Sequence, residues 1–369
     1  MTDPRVEKLA DVLVNYSTAI EPGDRVIVQG NTVAEPLIKE TYAKILQAGG
    51  HPLVLGQLPG TNEVFFRYAS DEQLEHIPEP LKMVIETYEA GITIRGSENT
   101  KALTNVDPSK MVLVNRAQTE LMKTVMHRMA EGALRWVGTQ FPTNAHAQDA
   151  EMSLREYEDF VYGACLPDMD DPVGYWHRFS GWQEKIVKWL KGKEKVHVIG
   201  PETDLRLSIA GRGFINCDGR RNMPDGEVFT SPVEDSVEGQ VYFSYPAIHQ
   251  GREVTGVRLW LENGRVVKAT AEKSEDYLLQ TLDTDEGSRY VGEFAIGTNE
   301  GITRFTGSML FDEKINGSFH MALGRGFPEA GGKNESAIHW DMVCDLRDGG
   351  EIWVDDELLY KDGRLVIEF

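Results

Sequence analysis

Asp24–Gly56 reads DRVIVQGNTVAEPLIKETYAKILQAGGHPLVLG, and three textures follow one another along it. Arg25–Gly30 is a short apolar run, the pattern of a buried strand. Ala34–Ala48 spaces Leu37, Ile38, Thr41 and Ile45 at helical intervals and ends on two glycines. His51–Gly56 is a second apolar run. Strand, helix and strand at this spacing form a parallel α/β unit, because parallel strands need a crossover between them.

The alternation continues in both directions. Asp3 and Pro4 are an N-cap and first helical residue, with Leu9, Leu13 and Tyr16 following at helical spacing. Downstream, PEPLKMVIETYEAG is expected as a helix, GITIRG and MVLVN as strands, ELMKTVMHRMAEG as a helix and LRWVGTQ as a strand. Ser153 and Glu156 make a capping box of S-x-x-E form at the start of SLREYEDFVYGAC. FSGWQEKIVKWLKGKEK closes this half as a further helix, with Trp182, Ile186 and Trp189 on one packing face.

From about Val196 short β-rich segments take over, interrupted by one helical stretch, SEDYLLQTLD. Asn263-Gly264 and Asp362-Gly363 each sit between alternating runs, the strongest local signal for a hairpin. The expected architecture is an α/β N-terminal domain over residues 1–190 and a mainly β, α+β C-terminal domain over 191–369.

Composition narrows the function. The 369 residues carry a net charge of -21, which argues against nucleic acid or an anionic membrane surface as the main partner. Three dispersed cysteines give neither a disulfide framework nor a zinc-finger spacing, which suits a reducing compartment. The charged N-terminus has no signal-peptide core and no apolar run approaches membrane-spanning length, so a cytoplasmic location is expected. Neither G-x-G-x-x-G nor G-x-x-x-x-G-K-[ST] occurs, and there is no G-x-S-x-G nucleophile elbow.

What remains is a scatter of acidic and imidazole side chains in the β-rich half. NESAIHWDMVCD places His339 and Asp341 on one face of a strand, with Ile338, Trp340 and Met342 on the other. YVGEFAIGTN sets Glu293 inside an apolar strand, with Val291 and Ala295 expected on its face. PDGEVFTSP offers Glu227 just after a turn, and DEKINGSFHMALG offers Glu313 and His320. A carboxylate inside an apolar strand needs a compensating partner, either a divalent cation or a basic side chain. Three glutamates, an aspartate and two histidines suit Zn²⁺, Mn²⁺ or Co²⁺, and exceed the needs of one tetrahedral ion, suggesting two ions sharing a carboxylate. Polar groups satisfied at strand ends account equally well for any one of these residues.

At these residues the chain resembles the thermophilic aminopeptidase family of metallopeptidases, which includes aminopeptidases T and S. PDGEVFTSP, GEFAIGTN, HMALG and GGKNESAIHWDMV look like family blocks in the family's order, and AQDAEMSLREYEDFVYGAC is similar to a block of its first domain. The resemblance implies two divalent metals held by Glu227, Glu293, His320, His339 and Asp341, with Glu293 as the bridge and Glu313 as a further member. It implies hydrolysis of the first peptide bond of short peptides bearing a free N-terminus. A hydroxide between the ions would attack, and Glu227 or Glu313 would carry the proton. It also implies a homodimer. One departure stands out: some relatives have tyrosine seven residues after the histidine of HMALG, where this chain has Phe327.

Overall fold

The computed structural model describes residues 3–367, and the chain divides into two compact units, Met1–His177 with Gly219–Pro224, and Arg178–Asp218 with Asp225–Phe369. In the first, strands Arg25–Asn31, His51–Gln57, Ala90–Arg95 and Arg135–Gln140 pair in parallel. The short strand Asn222–Met223 adds to Arg135–Gln140, again in parallel. Helix Glu35–Gln47 buries Leu37, Ile38, Thr41 and Ile45, the residues its helical spacing singled out. Ser153 and Glu156 form the expected reciprocal cap on helix Leu154–Cys165.

One expected strand is absent. Met111–Asn115 lies inside a 23-residue helix, Pro108–Ala130. Asp107 caps this helix, its carboxylate accepting from Ser109 N–H, and Pro108 opens it. Four apolar residues, Met111–Val114, fit either a strand or a helix, and no Gly or Pro separates them from the helical stretch that follows. The cap upstream decides the outcome.

The second unit holds two antiparallel sheets and a two-stranded ribbon, Ala247–His249 with Arg252–Val254. The larger sheet has eight strands, running from Arg265–Thr270 at one edge through Lys195–Gly200 to Arg364–Leu365 at the other. Its hairpin at Asn263-Gly264 has both residues at positive φ, 49° and 76°, as does Asp362-Gly363 at 45° and 76°. That is the turn twist that closes a two-residue hairpin.

The smaller sheet has five strands, in the order His339–Asp345, Ser318–Gly324, Val291–Gly297, Glu227–Thr230 and Ile215–Cys217. Its two faces are chemically opposite. Val228, Phe294, Ile296, Phe319, Met321, Trp340 and Met342 point into the main apolar core, with Val198, Leu205, Leu259 and Ile352 of the larger sheet. Period-two alternation then sends Glu227, Glu293, His320, His339 and Asp341 to the other face. Trp182 and Trp189 pack against the same core and Ile186 lies within it. Among the described residues no helix is long and apolar enough to cross a membrane.

Candidate metal centre

Cross-strand register shows why that polar face can hold something larger than its own side chains. Glu227 stands opposite Gly297, and His320 opposite Ala295. Ala322 lies between Glu293 on one neighbouring strand and Asp341 on the other, and His339 faces Gly324. Each of the five donors on the sheet therefore has a glycine or alanine beside it on a neighbouring strand, and these small residues leave room beneath the cluster.

A bulge sets the position of Glu293. The register shifts between Val291 and Glu293, so Val291 joins the core and does not share the face of Glu293 as alternation predicted. Gly292 occupies the shift, where an added Cβ would meet the Arg325 carbonyl oxygen at 2.3 Å. An extra residue in one strand re-aims the side chain that follows it.

The donors converge. Glu293 Oε1 lies 3.7 Å from His320 Nε2, and its Oε2 lies 3.1 Å from His339 Nε2. Glu227 Oε2 is 3.3 Å from His320 Nε2, and Asp341 Oδ1 is 3.4 Å from His339 Nε2. Atoms of Glu227, Glu293 and His320 lie within 4.8 Å of one another, as do those of Glu293, His339 and Asp341. Glu313 gathers with His320 and Asp341 in a third group of the same span. All six residues singled out in the sequence thus meet at one place, entirely within the second unit.

Several atoms here lack ordinary partners. Glu227 Oε2, His320 Nδ1 and Asp341 Oδ1 are buried and accept or donate no hydrogen bond. Buried polar groups left so are costly, and carboxylates with imidazoles are the donor set of a borderline divalent ion. His339 is oriented from behind, its Nδ1 lying 2.8 Å from the Arg325 carbonyl oxygen. With Nδ1 donating to that carbonyl, Nε2 is the nitrogen turned towards Glu293 and Asp341, and an ion there would take the place of its proton, the usual outer support of a metal-binding imidazole. The residues present therefore fit divalent ions.

Charge couples the cluster tightly. Burial pushes the Glu227 carboxyl up to about 8, an effect that Lys314 and His320 only partly offset. Burial also opposes ionisation of Glu293, but the imidazoles of His320 and His339 outweigh it and hold this carboxyl well below its usual range. Both imidazoles resist burial in turn: Glu293 and Glu227 lift His320 to about 9, and Asp341 and Glu293 lift His339 to about 11.

Lys314, Gln183 and Ser231 join the site without having given a signal in the sequence. Lys314 is completely buried beside Glu227 and Glu313. Gln183, also fully buried, donates to the backbone carbonyl of Glu227 at 2.8 Å and steadies that strand. Ser231 Oγ accepts from Phe327 N–H and donates to the Gly292 carbonyl, tying the glycine-rich loop to the bulge. Phe327 sets its ring edge-on to His339 and packs on Phe229, both at 5.0 Å between centroids. His249 faces away from the cluster, its Nδ1 2.8 Å from the Tyr277 hydroxyl and its ring on Trp340.

The sequence profile of the Thermophilic metalloprotease (M29) family matches residues 2–364. The chain belongs to this family. Among M29 relatives, it is similar to aminopeptidase T of Thermus thermophilus, 27% identical over 97% of this chain and 95% of the relative. Aminopeptidase 2 of Geobacillus stearothermophilus is 25% identical over 98% and 95%. The solved structure of wild-type AmpT from Thermus thermophilus has a TM-score of 0.85 at 25% identity, covering 98% of this chain and 99% of that one. The M29 fold is accordingly that of this chain: a parallel-sheet α/β unit and a mainly antiparallel unit. A dioxygenase acting on 2,5-dihydroxypyridine, from Pseudomonas putida KT2440, shares the fold alone, with TM-score 0.58 at 12% identity.

Proposed function

We propose that this M29 metalloprotease is an aminopeptidase that removes the first residue of short peptides at a centre of two divalent ions. The observation that carries the reading is Glu293, whose two carboxylate oxygens face two different imidazoles, His320 and His339. Glu227 with His320 would hold one ion, Asp341 with His339 the other, and Glu293 would bridge them. Zn²⁺, Co²⁺ and Mn²⁺ all suit this donor set. Bound ions would supply a hydroxide held between them as nucleophile, together with positive charge for the substrate's carbonyl oxygen.

The side chains do the rest. Glu313, with 18% of its side chain exposed against 7% for Glu227, is the carboxylate better able to exchange with water. It would take the nucleophile's proton and deliver it to the leaving amine. Phe327 presents no hydroxyl beside His339, so this side chain would donate no hydrogen bond to the substrate's carbonyl oxygen. A free α-amino group beside the acidic cluster would restrict cleavage to the first bond.

The test is bound-metal stoichiometry by elemental analysis, paired with hydrolysis of leucine p-nitroanilide before and after chelation and metal add-back. About two ions per chain, with activity lost on chelation and restored by metal, is the expected result. N-acetylation of the substrate should abolish cleavage. Cleavage that survives acetylation would rule out recognition of the amine and favour a hydrolase of other amides or esters. Activity indifferent to chelation would rule out the metal.

A further inference from the structure

Lys314 has no part in the function proposed so far, yet none of its side chain reaches solvent. Its Nζ donates to Glu313 and lies 3.9 Å from Glu227 Oε1. A fully buried ammonium persists only where neighbouring anions compensate its lost hydration. The backbone is shaped to admit it. Lys314 directly follows Glu313, the C-cap of the short helix Met309–Asp312; its N–H donates to the Phe311 carbonyl, and its own carbonyl accepts from Asn299 N–H at 3.1 Å. That turn presses on Gly297, where an added Cβ would meet the Ile315 carbonyl oxygen at 2.1 Å and the Lys314 carbonyl carbon at 2.9 Å. The glycine that stands opposite Glu227 thus also makes room for the lysine.

Glu227 is divided as a result: Oε1 faces the ammonium and Oε2 faces His320. Glu313 is held by the ammonium although its carboxylate gathers with His320 and Asp341. We propose that Lys314 is a built-in cation of the metal centre, a positioning residue that keeps Glu227 to one coordinating oxygen and withholds Glu313 from the ions. The inference rests on the metal-centre reading above. Like charges in one cluster oppose each other, and the coupling is reciprocal: an ammonium that disfavours the ions is one whose removal tightens them. Lys314 trades metal affinity for a Glu313 held off the ions, where its partly exposed carboxylate can exchange protons with water.

The test measures Zn²⁺ affinity by competition with a chromophoric chelator, for the full-length wild type, Lys314→Met and Lys314→Arg. Lys314→Met should bind Zn²⁺ about ten-fold or more tightly while hydrolysing leucine p-nitroanilide more slowly per bound ion. Lys314→Arg, which keeps the charge, should return the affinity to the wild-type value. A merely structural lysine gives the opposite sign, since loosened packing weakens the ions and slows hydrolysis together. Zinc affinity that is unchanged or weaker in a folded Lys314→Met protein overturns the proposal. If that variant folds only with Zn²⁺ present, the ion is replacing the ammonium and the proposal stands. If it folds in neither condition, Lys314→Gln is read by the same criterion. A wild type that binds no Zn²⁺ defeats the metal-centre reading itself, a result distinct from wild-type binding that Lys314→Met leaves unaltered.

Discussion

Loading the metal-free protein with Zn²⁺ should release protons, and the number released should fall as pH rises. His320 and His339 are held at about 9 and about 11 by the carboxylates around them, so both are imidazolium at pH 7. A metal takes only the neutral ring. At pH 7 the protons resist the ions by roughly 3 kcal/mol at His320 and roughly 5 kcal/mol at His339, at 1.36 kcal/mol per pH unit below each value. Glu227, pushed up by burial to about 8, holds a third proton near neutrality. From these three side chains the product of the two binding constants should therefore rise about a thousand-fold per pH unit near pH 7, falling to about a hundred-fold between 8 and 9 and about ten-fold above 9, and formation of the proposed hydroxide from water would add one proton to each count. A pH-stat titration at fixed pH values counts the protons directly. Release of no more than one proton per pair of ions at pH 7, the number the hydroxide alone would supply, would refute the electrostatic account of the cluster. Stability of the metal-free protein should run the opposite way. Groups whose folded values are raised stabilise fully below their unfolded values, and that contribution fades as pH climbs through the folded ones. His320 and His339 thus stabilise most below about 6.5 and lose that effect towards 9 and 11. The depressed Glu293 acts on the acid side, its contribution being lost as pH falls below about 4.5.

Two substitutions probe the geometry. Glu293→Gln keeps the shape but removes the carboxylate facing both imidazoles, so metal content should drop by at least one ion and hydrolysis by roughly a hundred-fold or more; full metal content by elemental analysis would contradict the bridging role. Gly297→Ala must displace the turn that carries Lys314, because its Cβ would meet a carbonyl oxygen at 2.1 Å. It should cost about 1–3 kcal/mol in denaturant unfolding, and a variant as stable as the wild type would show that the turn yields freely.

Much of this was legible residue by residue. Strand–helix–strand alternation from Asp24 to Gly56 announced a parallel sheet, and Asn263-Gly264 and Asp362-Gly363 marked hairpins through their need for positive φ. Alternation within HWDMVCD and SFHMALG separated core side chains from the imidazoles before any sheet was known. The errors have local causes. Met111–Asn115 is too short for periodicity to choose between strand and helix. Val291 changed face because a bulge adds a residue that strict alternation does not count. Lys314 and Gln183 were invisible for a different reason. A lysine beside a glutamate reads as a solvated pair, and a glutamine on a helix reads as surface. Only the folded chain shows that both are sealed against Glu227.

The small sheet carries its apolar face and its charged face on the same strands, so each donor sits one residue from a core side chain: Glu227 beside Val228, Glu293 beside Phe294, His320 between Phe319 and Met321, Asp341 between Trp340 and Met342. The donors are mounted on a lattice ruled at the strand spacing of about 4.8 Å. Side chains reach inward from fixed posts, and the posts move only if the hydrophobic interior moves with them. In the proposed metal centre, selectivity for ionic radius would in this way be a property of the backbone raster, and changing it would mean re-registering a strand as well as exchanging a ligand.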